Sequence, residues 1–148
     1  MTVVLVDTTV FLNVLDVPGF NQNHDAVVEQ LRRRLEERHE LLLPIAAIFE
    51  TGNHIGQLPD GRLRRRTAER FVEQVRKALD GTAPWTPARP IAIADIADWL
   101  QGFADHAMAG RGLGDVSIIA EWQRQRLLSP RRRIEIWSLD GHLQGYAT

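Results

Sequence analysis

The sequence predicts a three-layer α/β fold with a mostly parallel central sheet. Two observations carry this expectation. Short apolar runs (residues 2–6, 41–43, 90–93 and the alternating 134–139) are interleaved with longer segments whose apolar residues recur at helical spacing. The 148 residues, 44% hydrophobic and 25% charged, are those of one ordinary globular domain spanning 1–148, large enough to bury a core without staples.

Thr2-Val3-Val4-Leu5-Val6 is apolar and β-branched, as a buried parallel strand requires. Asp7 follows it directly, and residues 8–15 begin a helix that Pro18-Gly19 ends. Residues 24–38 carry Val27, Val28, Leu31 and Leu35 at helical spacing, with Glu29 and Arg33 as an i,i+4 pair on the wet side. Leu41-Leu42-Leu43 is the second strand. Pro44 suits the first position of a helix running from Ile45 to His54. Residues 62–79 form an amphipathic helix (Ala68, Phe71, Val72, Val75, Leu79), stopped by Asp80-Gly81. The proline-rich segment from Thr82 to Pro90 reads as a loop, and Pro90-Ile91-Ala92-Ile93 as a third strand. A helix over 95–109 carries Ile96, Trp99, Leu100 and Phe103; Arg111-Gly112-Leu113-Gly114 breaks it, and 115–128 begins the next. Residues 134–139 close the sheet as a fourth strand.

There is no cysteine, so disulfides and thiolate metal sites are excluded. The first residues lack a positively charged lead, and no stretch is apolar for long enough to span a bilayer, so a cytoplasmic protein with no membrane partner is expected. A net charge of −1 argues against a protein that coats nucleic acid. The basic residues are nonetheless clustered. Lys77 is the only lysine, and arginines run together at Arg32-Arg33-Arg34, at Arg62 with Arg64-Arg65-Arg66, and at Arg131-Arg132-Arg133. Such clusters grip phosphates bidentately, although they also serve as solvated helix faces.

Position singles out four acids. Asp7 follows the first strand, Glu50 lies in the helix after the second, Asp115 opens the helix after a glycine turn, and Asp140 follows the last strand. In an open parallel sheet the carboxyl ends of all strands share one edge, and ligands bind in the crevice there. Gathering carboxylates in one crevice is costly unless a cation sits among them, and all-oxygen donors suit Mg²⁺ or Mn²⁺ better than zinc. That layout suggests metal-assisted phosphodiester hydrolysis. Each acid alone has an ordinary explanation: Asp7 and Asp115 as helix N-caps, Asp140-Gly141 as a turn, Glu50 as a solvated helix residue. The ordinary explanations do not account for all four falling on one sheet edge.

Val6-Asp7-Thr8-Thr9-Val10-Phe11-Leu12 resembles the opening motif of PIN domains, an Asp followed by small hydroxyl or amide residues. Leu43-Pro44 through Phe49-Glu50 is similar to the second motif of that family, Gly112-Leu113-Gly114-Asp115 through Ala120 to the third, and Trp137-Ser138-Leu139-Asp140 through Leu143 to the fourth. Order, spacing and length match a single-domain member, with Ser138 where the family more often has Thr. The resemblance implies a sheet sandwiched by helices and an endoribonuclease that cuts single-stranded RNA with Mg²⁺ or Mn²⁺. Asp7, Glu50, Asp115 and Asp140 would be metal ligands or water activators, and Thr9 and Ser138 would orient their carboxylates. Members of this size are commonly toxins of toxin–antitoxin modules (the VapC type), held by a small antitoxin and often homodimeric; others are RNA-processing enzymes.

Further candidates are weaker. Asn13 could face the crevice and touch substrate, and Arg62, Arg64, Arg65 and Arg66 follow a Pro-Asp-Gly turn that suits phosphate or an acidic antitoxin segment. Among the histidines, His142 has the best approach to the site. Trp99 and Trp137 read as core, and Trp85 as a partner surface. A haloacid-dehalogenase-like phosphatase needs a second Asp where Thr9 stands, and both it and a receiver domain need a lysine near the site, which Lys77 does not provide. The remaining alternative is a non-catalytic PIN-like scaffold that binds RNA or a protein partner.

Overall fold

A computed structural model describes residues 1–146. The elements run β1 (Thr2–Val6), α1 (Thr8–Val14), α2 (His24–Glu36), β2 (Glu40–Leu43), α3 (Ile45–Gly56), α4 (Gly61–Asp80), β3 (Trp85–Pro87), α5 (Ile93–Met108), α6 (Leu113–Leu128) and β4 (Arg133–Trp137). The four strands form one sheet in the order β3-β2-β1-β4, and every pairing is parallel. The three-layer α/β/α expectation holds.

Strand alternation builds the layers. Val4, Val6, Leu41 and Leu43 point to one face, where they meet Val10, Phe11, Val27, Ala47 and Ile55 of the first helices. Val3, Leu5, Leu42, Ile134 and Ile136 point to the other and meet Ile118, Ile119 and Trp122 of α6. Both faces are apolar because both are covered, which is why the strands read as continuous hydrophobic runs. Each fully buried Val, Leu or Ile contributes about 1.5–3 kcal/mol of transfer free energy. α5 packs chiefly on α6, has no buried residue, and exposes Ile93, Leu100 and Met108.

The third strand is not where the sequence placed it. Trp85-Thr86-Pro87, inside the expected loop, pairs with Leu41-Leu42-Leu43, whereas Ile91 leads into α5, Ala92 is its cap and Ile93 its first residue. A proline has no N–H for a ladder and is tolerated in a strand only at an edge, which is the position β3 occupies. Trp85 is likewise not a partner surface. It is 3% exposed and stands edge-on to Phe11 at 5.6 Å between ring centroids. Trp137 is buried as expected, but Trp99 is only half-buried, because α5 rides on α6 rather than on the sheet. Val28 and Leu35 of α2 are half-exposed, so only Val27 and Leu31 serve the inward stripe. Pro44 is the N-cap of α3, with ψ of 148°, rather than its first helical residue.

Chain order makes a switch point between β1 and β4. From β1 the chain moves to β2 and then β3 on one side, and afterwards crosses back to lay β4 on the other. A crevice opens at such a reversal, outside the carboxyl ends of the two strands. No helix among the described residues is long and apolar enough to cross a membrane.

Candidate active site

Asp7 lies at the carboxyl end of β1, beside that switch point. Its backbone N–H donates to the Trp137 carbonyl at 3.0 Å, so the β1–β4 ladder continues one residue past β1. It is also the N-cap of α1, accepting from the Thr9 N–H. The N-cap explanation of Asp7 therefore holds, and it leaves the carboxylate able to take further partners. Asp7 is 3% exposed, and its Oδ2 accepts from Thr9 Oγ1 at 2.8 Å and from Ser138 Oγ at 2.7 Å. Each hydroxyl has one proton, and both are spent on this oxygen. As acceptors, the same hydroxyls take the backbone N–H groups of Leu139 and Asp140, each at 2.9 Å. Thr9 and Ser138 thus pin the Asp7 carboxylate and the chain leading to Asp140 in one network.

Asp140 is half-buried, and its Oδ1 accepts from the His142 N–H at 2.9 Å. The expected turn is present at Asp140-Gly141, and the His142 N–H of that turn fixes the orientation of the carboxylate. Asp115 is the third residue of α6, not the N-cap; Gly112 is the cap, and Asp115 Oδ2 accepts from the Gly112 N–H at 3.4 Å. Burial pushes the Asp115 carboxyl above its ordinary value, and the charges of Asp7 and Asp140 push the same way. Glu50 enters from α3. Burial raises its pKa too, joined by Asp7 and Asp115, and opposed by a 2.7 Å hydrogen bond from Thr8 Oγ1. Asp7 thus acts on both Glu50 and Asp115, and Asp140 acts on Asp115.

The close approach of α6 to Glu50 depends on Gly114, where an added Cβ would lie 1.8 Å from Glu50 Oε1. Thr8 and Gly114 belong to the site but were not singled out from sequence. Thr8 stood beside Thr9 in a run of hydroxyls whose division of labour only the fold decides. Gly114 read as a turn residue, yet it lies inside the helix, where glycine is otherwise unfavourable. His142 does reach the acids: Asp115, Asp140 and His142 each bring one ligand atom to within 4.8 Å of the others.

Asn13 does not face the crevice. It is 3% exposed, its amide donating to Thr9 O at 2.9 Å and accepting from Asn23 N–H at 2.9 Å. With both ends engaged by backbone, it ties α1 to the turn before α2. Arg62, Arg64, Arg65 and Arg66 lie on the first turns of α4. Arg64 donates to the Leu58 carbonyl at 2.7 Å, Arg65 pairs with Glu69 at 3.2 Å, and among the described residues no hydrogen bond or ion pair joins this run to the acids. A groove of about 520 Å³ between α5 and α6 is lined by Trp99, Glu121 and Tyr146 but by none of the four acids.

The donor set is carboxylate oxygen with one imidazole and no thiolate, which fits a hard or borderline divalent cation. A cation there would relieve the repulsion that raises Glu50 and Asp115. No protein-family model matches the chain, and no curated protein matches it. Any functional reading therefore stands on these residues themselves.

Proposed function

We propose that the chain is a Mg²⁺- or Mn²⁺-dependent endoribonuclease of the PIN kind, cutting single-stranded regions of RNA. The observation that carries this reading is the convergence of Asp7, Glu50, Asp115 and Asp140 at the switch point, with Asp7 held by Thr9 and Ser138. A divalent ion, when bound, supplies an acidified water and neutralises charge on the phosphodiester. The protein supplies the rest. Thr9 and Ser138 orient Asp7, and Thr8 orients Glu50. Glu50, held by the Thr8 hydroxyl, would accept a proton from the water that attacks phosphorus, while the P–O bond to the departing ribose oxygen breaks and that oxygen takes a proton from solvent. RNA is favoured as the substrate by the motif resemblance. The exposed arginines at the start of α4 suit contact with its phosphates.

The same resemblance extends the proposal to a cytoplasmic toxin of a type II toxin–antitoxin module, restrained by a small antitoxin and homodimeric, with an RNA-processing nuclease as the alternative. Ile93, Leu100 and Met108, exposed on a helix with no buried residue of its own, support a partner on that face.

The test is incubation of a mixed pool of fluorescent single-stranded RNAs with the protein in Mg²⁺, Mn²⁺ or EDTA, beside Asp7→Asn. Metal-dependent cleavage that vanishes in the variant is expected. Absence of both cleavage and metal binding would leave only the scaffold reading.

A further inference from the structure

His142 stands among the carboxylates as an imidazole, and three features of the structure give that position a use. A ring nitrogen of His142 and one oxygen each from Asp115 and Asp140 lie within 4.8 Å of one another. The ring is also held in a defined orientation, with Nδ1 2.9 Å from the Gly110 carbonyl oxygen. A carbonyl only accepts, so Nδ1 carries the proton in this bond, and the lone pair of the neutral ring is on Nε2. Gly110 makes room for the contact: its φ is +86°, and an added Cβ would lie 2.6 Å from His142 Cε1.

The third feature is independent of the histidine. Asp7 is 3% exposed, and all three of its side-chain hydrogen bonds arrive on Oδ2. Among the described residues nothing donates to Oδ1, and the Asp7 charge acts directly on Asp115 and Glu50. A carboxylate with one oxygen saturated by hydroxyls and the other free of protein donors, acting on neighbouring acids, has that second oxygen open to a cation.

We propose that His142 is a nitrogen ligand, through Nε2, of the divalent ion held by Asp115 and Asp140, and that it biases the site toward Mn²⁺ over Mg²⁺. The inference deepens the nuclease reading and rests on it. A ligating histidine donates its other ring N–H to a backbone carbonyl or carboxylate, which is the arrangement Gly110 provides. Mg²⁺ takes oxygen ligands almost exclusively, whereas Mn²⁺ and its later neighbours accept imidazole. An all-carboxylate site would not make this distinction.

The test is calorimetric titration of Mn²⁺, and separately of Mg²⁺, into the full chain, His142→Ala and Asp140→Asn, with circular dichroism checking each fold. Because His142 is exposed, its replacement leaves the core untouched. The expected result is that His142→Ala weakens Mn²⁺ binding about 10–100-fold and Mg²⁺ binding much less. Gly110→Ala, which pushes the ring aside, acts in the same direction. In the unaltered protein, Zn²⁺ as a diamagnetic probe moves the ¹⁵N resonance of His142 Nε2 into the ligated range while Nδ1 stays protonated. This measurement decides the matter even if a variant fails to fold. Equal Mn²⁺ affinity for the parent and His142→Ala, with loss in Asp140→Asn, would overturn the histidine ligand and leave the carboxylate centre standing. Failure of the parent to bind either ion would overturn both.

Discussion

At the residue scale, the Asp7 carboxylate owes its orientation to two hydroxyls that arrive from opposite ends of the chain, Thr9 just after β1 and Ser138 just after β4. Ser138→Ala removes one of these donors and frees the Asp140 N–H, so cleavage should fall about 10–100-fold with the fold retained. Single-turnover rates beside circular dichroism check this. Gly114→Ala acts on the other side of the crevice. Its Cβ would collide with the tip of Glu50 rather than with backbone, so the chain folds and Glu50 swings away. The expected outcome is a loss of activity comparable to that of Glu50→Ala at near-parental melting temperature. Glu50 also predicts a pH effect. Burial, reinforced by Asp7 and Asp115, lifts its folded-state pKa above the ordinary 4.5. The folded metal-free protein therefore binds this proton more tightly than the unfolded chain, and loses stability as pH rises from 4.5 through the folded value. In EDTA, Glu50→Gln should melt above the parent at neutral pH, with the gap closing toward acid. A gap that stayed constant with pH would show that the charge is not its cause.

At the element scale, the sheet edge at β3 is held by a single large side chain. Trp85 fills the space beneath Phe11 and the inner face of α4, where Ala78 is also buried. Truncation to alanine should cost about 3–5 kcal/mol, the usual range for deleting a buried aromatic. Urea denaturation measures it, and a loss below about 1 kcal/mol would mean that the edge repacks. Helix stops behave as their residues dictate: Gly81 ends α4 in the left-handed conformation at φ of +77°, with its N–H on the Ala78 carbonyl. The misplacement of the third strand has an equally local cause. Ile91-Ala92-Ile93 is apolar enough to resemble a strand, but α5 packs on another helix, and Ile93 is left 87% exposed. Trp85-Thr86-Pro87 has too few residues for any period to register, and Pro87 with the flanking Pro84 and Pro90 points away from a strand.

At the scale of the whole molecule, the reversal of strand order between the parallel β1 and β4 brings residues 7 and 140 to the same sheet edge, while α3 and α6 carry Glu50 and Asp115 toward it. The repulsion among them is a stability cost that a bound cation removes. Mn²⁺ at about one hundred times its dissociation constant should stabilise the fold by about 2.7 kcal/mol, read as a rise in melting temperature that EDTA reverses. Asp7→Asn should blunt that rise. A melting temperature indifferent to both metal and chelator would remove the cation from the account.

The alternation of strands and helices and the positions of Asp7, Asp115 and Asp140 were legible in the sequence, because each of these acids sits next to a strand end or a helix start that local periodicity marks; Thr9 and Ser138 were legible only through the motif resemblance. Asp7 and Asp140 needed only the rule that parallel strands finish on one edge. Tertiary structure alone decided matters of proximity between distant segments. It brought the Thr8 hydroxyl to Glu50, set Gly114 against the same carboxylate, and turned the His142 ring onto the Gly110 carbonyl. It also withdrew Asn13 and Trp85 into the interior. A side chain's partners across the fold depend on how helices pack on the sheet, and local sequence periodicity carries no record of those distances.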